Sequence, residues 1–195
     1  MRKSRNTPSE MPLERLIVFG ALSPLSLLED PRVRLLMATS PGWLFRLPAN
    51  TLSAVIACPK CPLNLLEQLP KNRSLPLSAR MAAAGRPDMP PEFLRLFMKH
   101  AALVRKELAR NPSLPKDLEQ ILARDRFSAV RAGIAATTTD PDLINELAHD
   151  RSLQRVRVAV ASNPALTVRA RNYLSQSSLL EIQEALLRNN SRSTA

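Results

Sequence analysis

The chain has 195 residues, 45% of them hydrophobic, and 28 Lys and Arg against 17 Asp and Glu, for a net charge of +11; it can bury a sizeable core and is too apolar to be intrinsically disordered. Aromatics make up 4%, and there are 4 glycines against 17 prolines, which tells against sandwiches and barrels built from aromatic, β-branched strands and glycine turns. Leu, Ala and Arg favour helices, scattered prolines keep them short, and the positive charge draws polyanions, acidic protein surfaces or anionic lipid.

At the start, Arg2, Lys3 and Arg5 precede the apolar run LIVFGALSPLSLL at 16–28. Glu14 and Arg15 border that run and no small-residue cleavage site follows it, so it reads as a first core helix within an irregular N-terminal cap, residues 1–30. No run reaches the ~18 apolar residues of a membrane span. A template, Val-Arg-x-x-x-Ala-x-Asn-Pro, then recurs. It is VRLLMATSP at 33–41, a weak TLSAVIACP at 51–59, ARMAAAGRP at 79–87, VRKELARNP at 104–112, VRAGIAATT at 130–138, VRVAVASNP at 156–164 and IQEALLRNN at 182–190. The strong copies start at Val104, Val130 and Val156, 26 residues apart.

Between copies lies a second element, opened by Pro62, Pro90, Pro115 or Pro141 and followed by leucines at helical spacing, such as Leu118 and Leu122 or Leu143 and Leu147. Proline suits the first helical position, where its fixed φ is helical and its missing N–H would have no partner. Each unit is thus a proline-opened helix, a turn, and a Val-Arg helix ended by Asn-Pro. Such a pair cannot bury its apolar face alone, and stacking of neighbours does so. The spacing predicts an all-α fold: an α-solenoid of short helical repeats of about 26 residues. It would cover 31–190, degenerate over 31–78 and regular over 79–190, with a loose tail at 191–195. Ala161 would let neighbouring helices approach closely.

The stretches VRVAVASNPALT, VRKELARNPSLPKDLEQILARD and VRAGIAATTTDPDLINELAHD resemble the leucine-rich repeat variant family and are similar to HEAT-like repeats. The resemblance implies a right-handed superhelix alternating an α-helix with a tighter one, in a family seen mainly in bacteria. It speaks to architecture and hardly to activity. The family's iron–sulfur cysteine cluster has no counterpart here, because Cys58 and Cys61 form a single CPKC.

Arg34, Arg80, Arg105, Arg131 and Arg157 recur with the template, and Asp30, Asp125 and Asp150 each precede one of them. Buried charge survives when paired, so these form a structural ladder within or between units; contact with phosphates is the alternative. Arg46 and Lys60 are less tied to the template, as are the candidate binding residues Lys71, Arg73, Arg95, Lys99 and Lys106, which are expected on exposed faces. Trp43, Tyr173 and the five phenylalanines are scattered, without a stacking platform for bases.

Tetrahedral zinc needs four ligands. Cys58 and Cys61 lack a second pair, and His100 and His149 lie in other units, so no metal or cofactor is expected. Two cysteines suit a reducing, cytoplasmic compartment. No glycine-rich phosphate loop, nucleophile elbow or HExxH occurs, so the chain is not read as an enzyme; DNA glycosylases built of HEAT-like repeats share its basic character but need a groove acid and aromatics that cannot be assigned. The expected function is a protein-binding scaffold presenting a basic surface to a partner protein, an acidic one being the electrostatic complement. The alternative is a nucleic-acid-binding solenoid that contacts backbone phosphates.

Overall fold

The computed structural model describes residues 23–39, 41–62, 66, 69, 72, 74–152 and 154–193. Among them the protein is all-helical, with twelve α-helices, one 3₁₀ helix and no strand. The chain forms two compact units, divided between Arg86 and Pro87, inside a stretch expected to be regular. Arg86 belongs to the first unit because its buried guanidinium donates to the carbonyls of Ile56 at 2.5 Å and Cys58 at 2.6 Å. Most of the expected N-terminal cap, residues 1–22, lies outside the described residues. No helix among the described residues is long and apolar enough to cross a membrane.

The first unit contains α1 (Pro24–Glu29), α2 (Pro31–Thr39), a 3₁₀ helix (Pro41–Arg46), α3 (Ala49–Ala57) and α4 (Leu77–Ala84). Ser23 caps α1 by accepting from the Ser26 N–H at 3.1 Å, which satisfies one of the donors that a helix start leaves without a partner. Helix α3 packs on α1 and α4. Its Leu52, Val55 and Ile56 are buried, as are the small Ala79, Ala83 and Ala84 of α4.

The second unit contains α5 (Pro91–Phe97), α6 (Ala102–Leu108), α7 (Lys116–Leu122), α8 (Ser128–Thr137), α9 (Pro141–Ala148), α10 (Gln154–Ala161), α11 (Val168–Ser175) and α12 (Leu180–Ser193). Helices α6, α8, α10 and α12 begin at 102, 128, 154 and 180, and each packs on the next. Helices α7 and α9 lie against α8, α9 and α11 lie against α10, and α11 contacts both α9 and α12. Val104, Val130, Val156 and Ile182 are fully buried, each side chain contributing about 1.5–3 kcal/mol.

Two local expectations change. Pro141 is the first residue of α9, but Pro90 and Pro115 stand one residue earlier, at the N-cap. The N-cap conformation, with φ near −60° and ψ near 142° at Pro115, is as compatible with the proline ring as the first helical turn. The loose tail expected from 191 is instead helical to Ser193, because no proline follows Pro164 to stop α12; 194–195 lie outside the described residues.

Close approach falls on a residue that the template does not mark. A Cβ on Gly133 of α8 would sit 2.8 Å from the Ala109 Cβ and 3.4 Å from the Lys106 carbonyl. The template alanines Ala109, Ala135 and Ala161 are buried alongside.

Candidate functional site

Two rows of polar groups run through the second unit. In the first, Asn163, buried to 2% exposure, donates its amide to the carbonyls of Ala135 at 2.8 Å and Thr138 at 2.9 Å. Asn189 does the same to Ala161 at 3.0 Å and Asn163 at 2.6 Å. Where the template has Thr137 in place of Asn, its hydroxyl donates to Ala109 at 3.2 Å and Gly133 at 3.1 Å. Each side chain thus satisfies carbonyls at the end of the helix 25 to 28 residues earlier, where orphan carbonyls collect.

The second row is made by the arginines. Arg105 sets its Nε 2.6 Å and Nη2 3.1 Å from the Asp125 carboxylate and donates Nη1 to the His100 carbonyl at 2.6 Å. Arg131 repeats this: Nε is 2.6 Å and Nη2 3.4 Å from Asp150, Nη1 is 2.6 Å from the Asp125 carbonyl, and Nη2 also meets the Ser152 hydroxyl. The aspartates in turn accept from the backbone N–H two residues on, Phe127 at 2.9 Å and Ser152 at 2.8 Å. Burial raises the pKa of Asp125 and Asp150, and these hydrogen bonds outweigh it, holding both carboxyls below their ordinary 3.8.

Each of these aspartates therefore pairs with an arginine 19 or 20 residues before it and not with the next arginine in sequence. Asp150 is committed to Arg131, so Arg157 does not use it. Asp30 pairs with its neighbour Arg32 at 2.6 Å, while Arg34 donates to the Leu28 carbonyl at 3.4 Å. The Nε groups of Arg80 and Arg157 are buried without a hydrogen-bond partner.

Arg95, on α5, forms an exposed ion pair with Asp117, and that hydrogen bond holds the Asp117 carboxyl below its ordinary value. Lys99 is exposed and Lys106 half-buried on α6; Lys71 and Arg73 lie outside the described residues. Lys60 pairs with Glu29, Arg124 with Glu146 and Arg188 with Glu184. Part of the basic charge is thus met by carboxylates. Arg46 is exposed. Phe127 lies beneath two guanidiniums, with Arg126 at 4.7 Å and Arg105 at 5.7 Å from its ring centre.

Cys58 is half-buried at the end of α3, and Cys61 is buried, its N–H donating to the Cys58 carbonyl at 2.9 Å. His149 stacks on Tyr173 with ring centres 3.9 Å apart, and its Nδ1 is 2.8 Å from the Asn145 carbonyl. Among the described residues no group of three or more His, Cys, Asp or Glu is placed to hold a metal ion.

Among the described residues, the unit carries two concavities of note. An open groove of about 560 Å³ runs between α10 and α12, with Val158 and Ala185 in its floor and Arg155, Arg188, Glu181 and Glu184 around it. A smaller cavity of about 240 Å³ is lined by Arg157, Tyr173, Leu174, Gln176 and Ser177. Template matching draws attention to buried positions, so it passed over the groove; its signal was the charged, variable residues of α10 and α12. Comparison with protein-family models, curated proteins and solved structures finds no match.

Proposed function

We propose that the second unit is a short α-solenoid and serves as a non-enzymatic binding module whose groove between α10 and α12 receives a partner protein. Helices recurring at 102, 128, 154 and 180, tied by an asparagine row and an arginine row, support the solenoid reading, because stacked repeats contact mainly their neighbours. The observation that carries the function is the mixed lining of the groove. Glu181 and Glu184 stand with Arg155 and Arg188 over an apolar floor. Carboxylates repel a phosphate backbone, whereas an apolar floor with charges of both signs around it matches the core and rim of protein interfaces.

The test is affinity capture from the native host at low and high salt, with and without nuclease. A discrete protein retained at high salt after nuclease treatment is the expected result. Capture that vanishes with nuclease and falls steeply with salt would instead assign the charge to nucleic acid.

A further inference from the structure

We infer that the cavity at Arg157 is a binding site for a carboxylate supplied from outside the chain, an Asp or Glu side chain of an acidic peptide segment. The inference rests on the protein-binding reading above and adds to it the chemistry that the partner offers. Its ground is an interruption in the arginine row. Three loops have one construction: the Asp125 N–H donates to Leu122, the Asp150 N–H to Leu147 and the Ser177 N–H to Leu174. The side chain at each position then accepts from the N–H two residues on, Phe127 at 2.9 Å, Ser152 at 2.8 Å and Leu179 at 3.3 Å. The carbonyl accepts from the next template side chain: Arg131 at the first and Gln183, at 2.7 Å, at the third.

Ser177 therefore stands at the loop position of Asp125 and Asp150, and it lines one cavity with Arg157. It is one carboxylate short. Serine caps its own loop, but it is neutral and does not reach the guanidinium, and the Nε of Arg157 is left buried with no acceptor. An unmet buried donor costs free energy that a ligand oxygen recovers. The space is present: the cavity of about 240 Å³ lies between Arg157 and Ser177, against about 30 Å³ for a water molecule. Exposed Gln176 stands at its rim, and Tyr173 forms a wall. The other rungs show what completes the fork, a carboxylate with one oxygen on Nε and one on Nη2, the bidentate match for which arginine is suited.

The experiment uses the full chain. N-acetylaspartate, an acetylated and amidated Asp/Glu peptide, and inorganic phosphate are titrated by calorimetry into the wild type, Ser177→Asp, Ser177→Ala and Arg157→Gln, while the Arg157 Nε–H resonance is followed in the wild type. Both carboxylate probes should move that resonance saturably. Ser177→Asp supplies the missing carboxylate, so it should melt above Ser177→Ala and the wild type and weaken probe binding about tenfold or more; Arg157→Gln should weaken it by a similar factor. No saturable shift with either carboxylate, equal affinity in Ser177→Asp and wild type, or phosphate binding as tightly as carboxylate would each overturn the site. N-acetylaspartate binding without the peptide would overturn the acidic peptide as occupant while leaving the groove between α10 and α12 to the capture experiment. Retention of the captured partner by Ser177→Asp, with no carboxylate bound by the wild type, sinks the site alone.

Discussion

Arg131 meets Asp150 through Nε at 2.6 Å, with side chains only 13% and 10% exposed, and the same guanidinium holds the Asp125 carbonyl. Removing it strands a buried carboxylate. Arg131→Ala should therefore lose about 2–4 kcal/mol of stability. Arg157→Ala strands none and should lose less than about 1 kcal/mol. Urea denaturation of the two variants measures the difference; equal losses would mean that the pairing with Asp150 is not what makes Arg131 structural.

Acid should weaken the row in a definite direction. The carboxyls of Asp125 and Asp150 are held below 3.8 in the folded chain, so their contribution is full above the unfolded value and is lost as pH falls through the folded one. Melting temperature should fall as pH drops below 3.8, and the slope should be shallower in an Asp125→Asn/Asp150→Asn double variant. An unchanged slope would show that other carboxyls govern the acid limb.

The contact at Gly133 predicts a loss where helix propensity alone predicts a gain. Gly133→Ala gains about 1 kcal/mol of helix propensity, but its methyl would meet the Ala109 Cβ at 2.8 Å, and overpacking costs about 1–3 kcal/mol. A net destabilisation is expected, partly relieved by adding Ala109→Gly. A more stable Gly133→Ala would show that α6 and α8 separate freely.

Asn163 offers two donors to carbonyls and one acceptor to the Ala165 N–H at 2.8 Å. Asn163→Ala leaves those groups unmet and should cost about 2–3 kcal/mol. Asn163→Asp keeps the acceptor but sets a charge against two carbonyls, and should cost at least as much. Thermal melts check both; a harmless Asn163→Asp would contradict the donor assignment.

Much of the frame was legible in the sequence because burial repeats there. Val104, Val130 and Val156 mark the core, Ala109, Ala135 and Ala161 are buried beside it, and Asn111 and Asn163 stand just past helix ends, whereas Asn189 lies inside α12. What those asparagines bond was not legible, since their targets lie 25 to 28 residues back. Nor was the partner of each arginine: sequence proximity set Asp150 beside Arg157, whereas the packing of one helix pair on the next sets it against Arg131. Arg86 takes an inward role that its loop position concealed. The missing carboxylate at Ser177 could have been found by aligning the acidic column after Asp125 and Asp150, instead of the arginine column alone.

The most direct test of the binding reading places a charge in the floor of the groove. Val158 is half-buried and lines the concavity between α10 and α12, so Val158→Asp should lower the melting temperature by a few degrees at most and leave the chain folded at the temperature of the assay, while disrupting an apolar anchor. The measurement is the amount of partner protein retained, after nuclease treatment and at high salt, by the wild type and by Val158→Asp. The account predicts at least about a tenfold loss, as for a central interface residue. Equal retention by a folded Val158→Asp would contradict it.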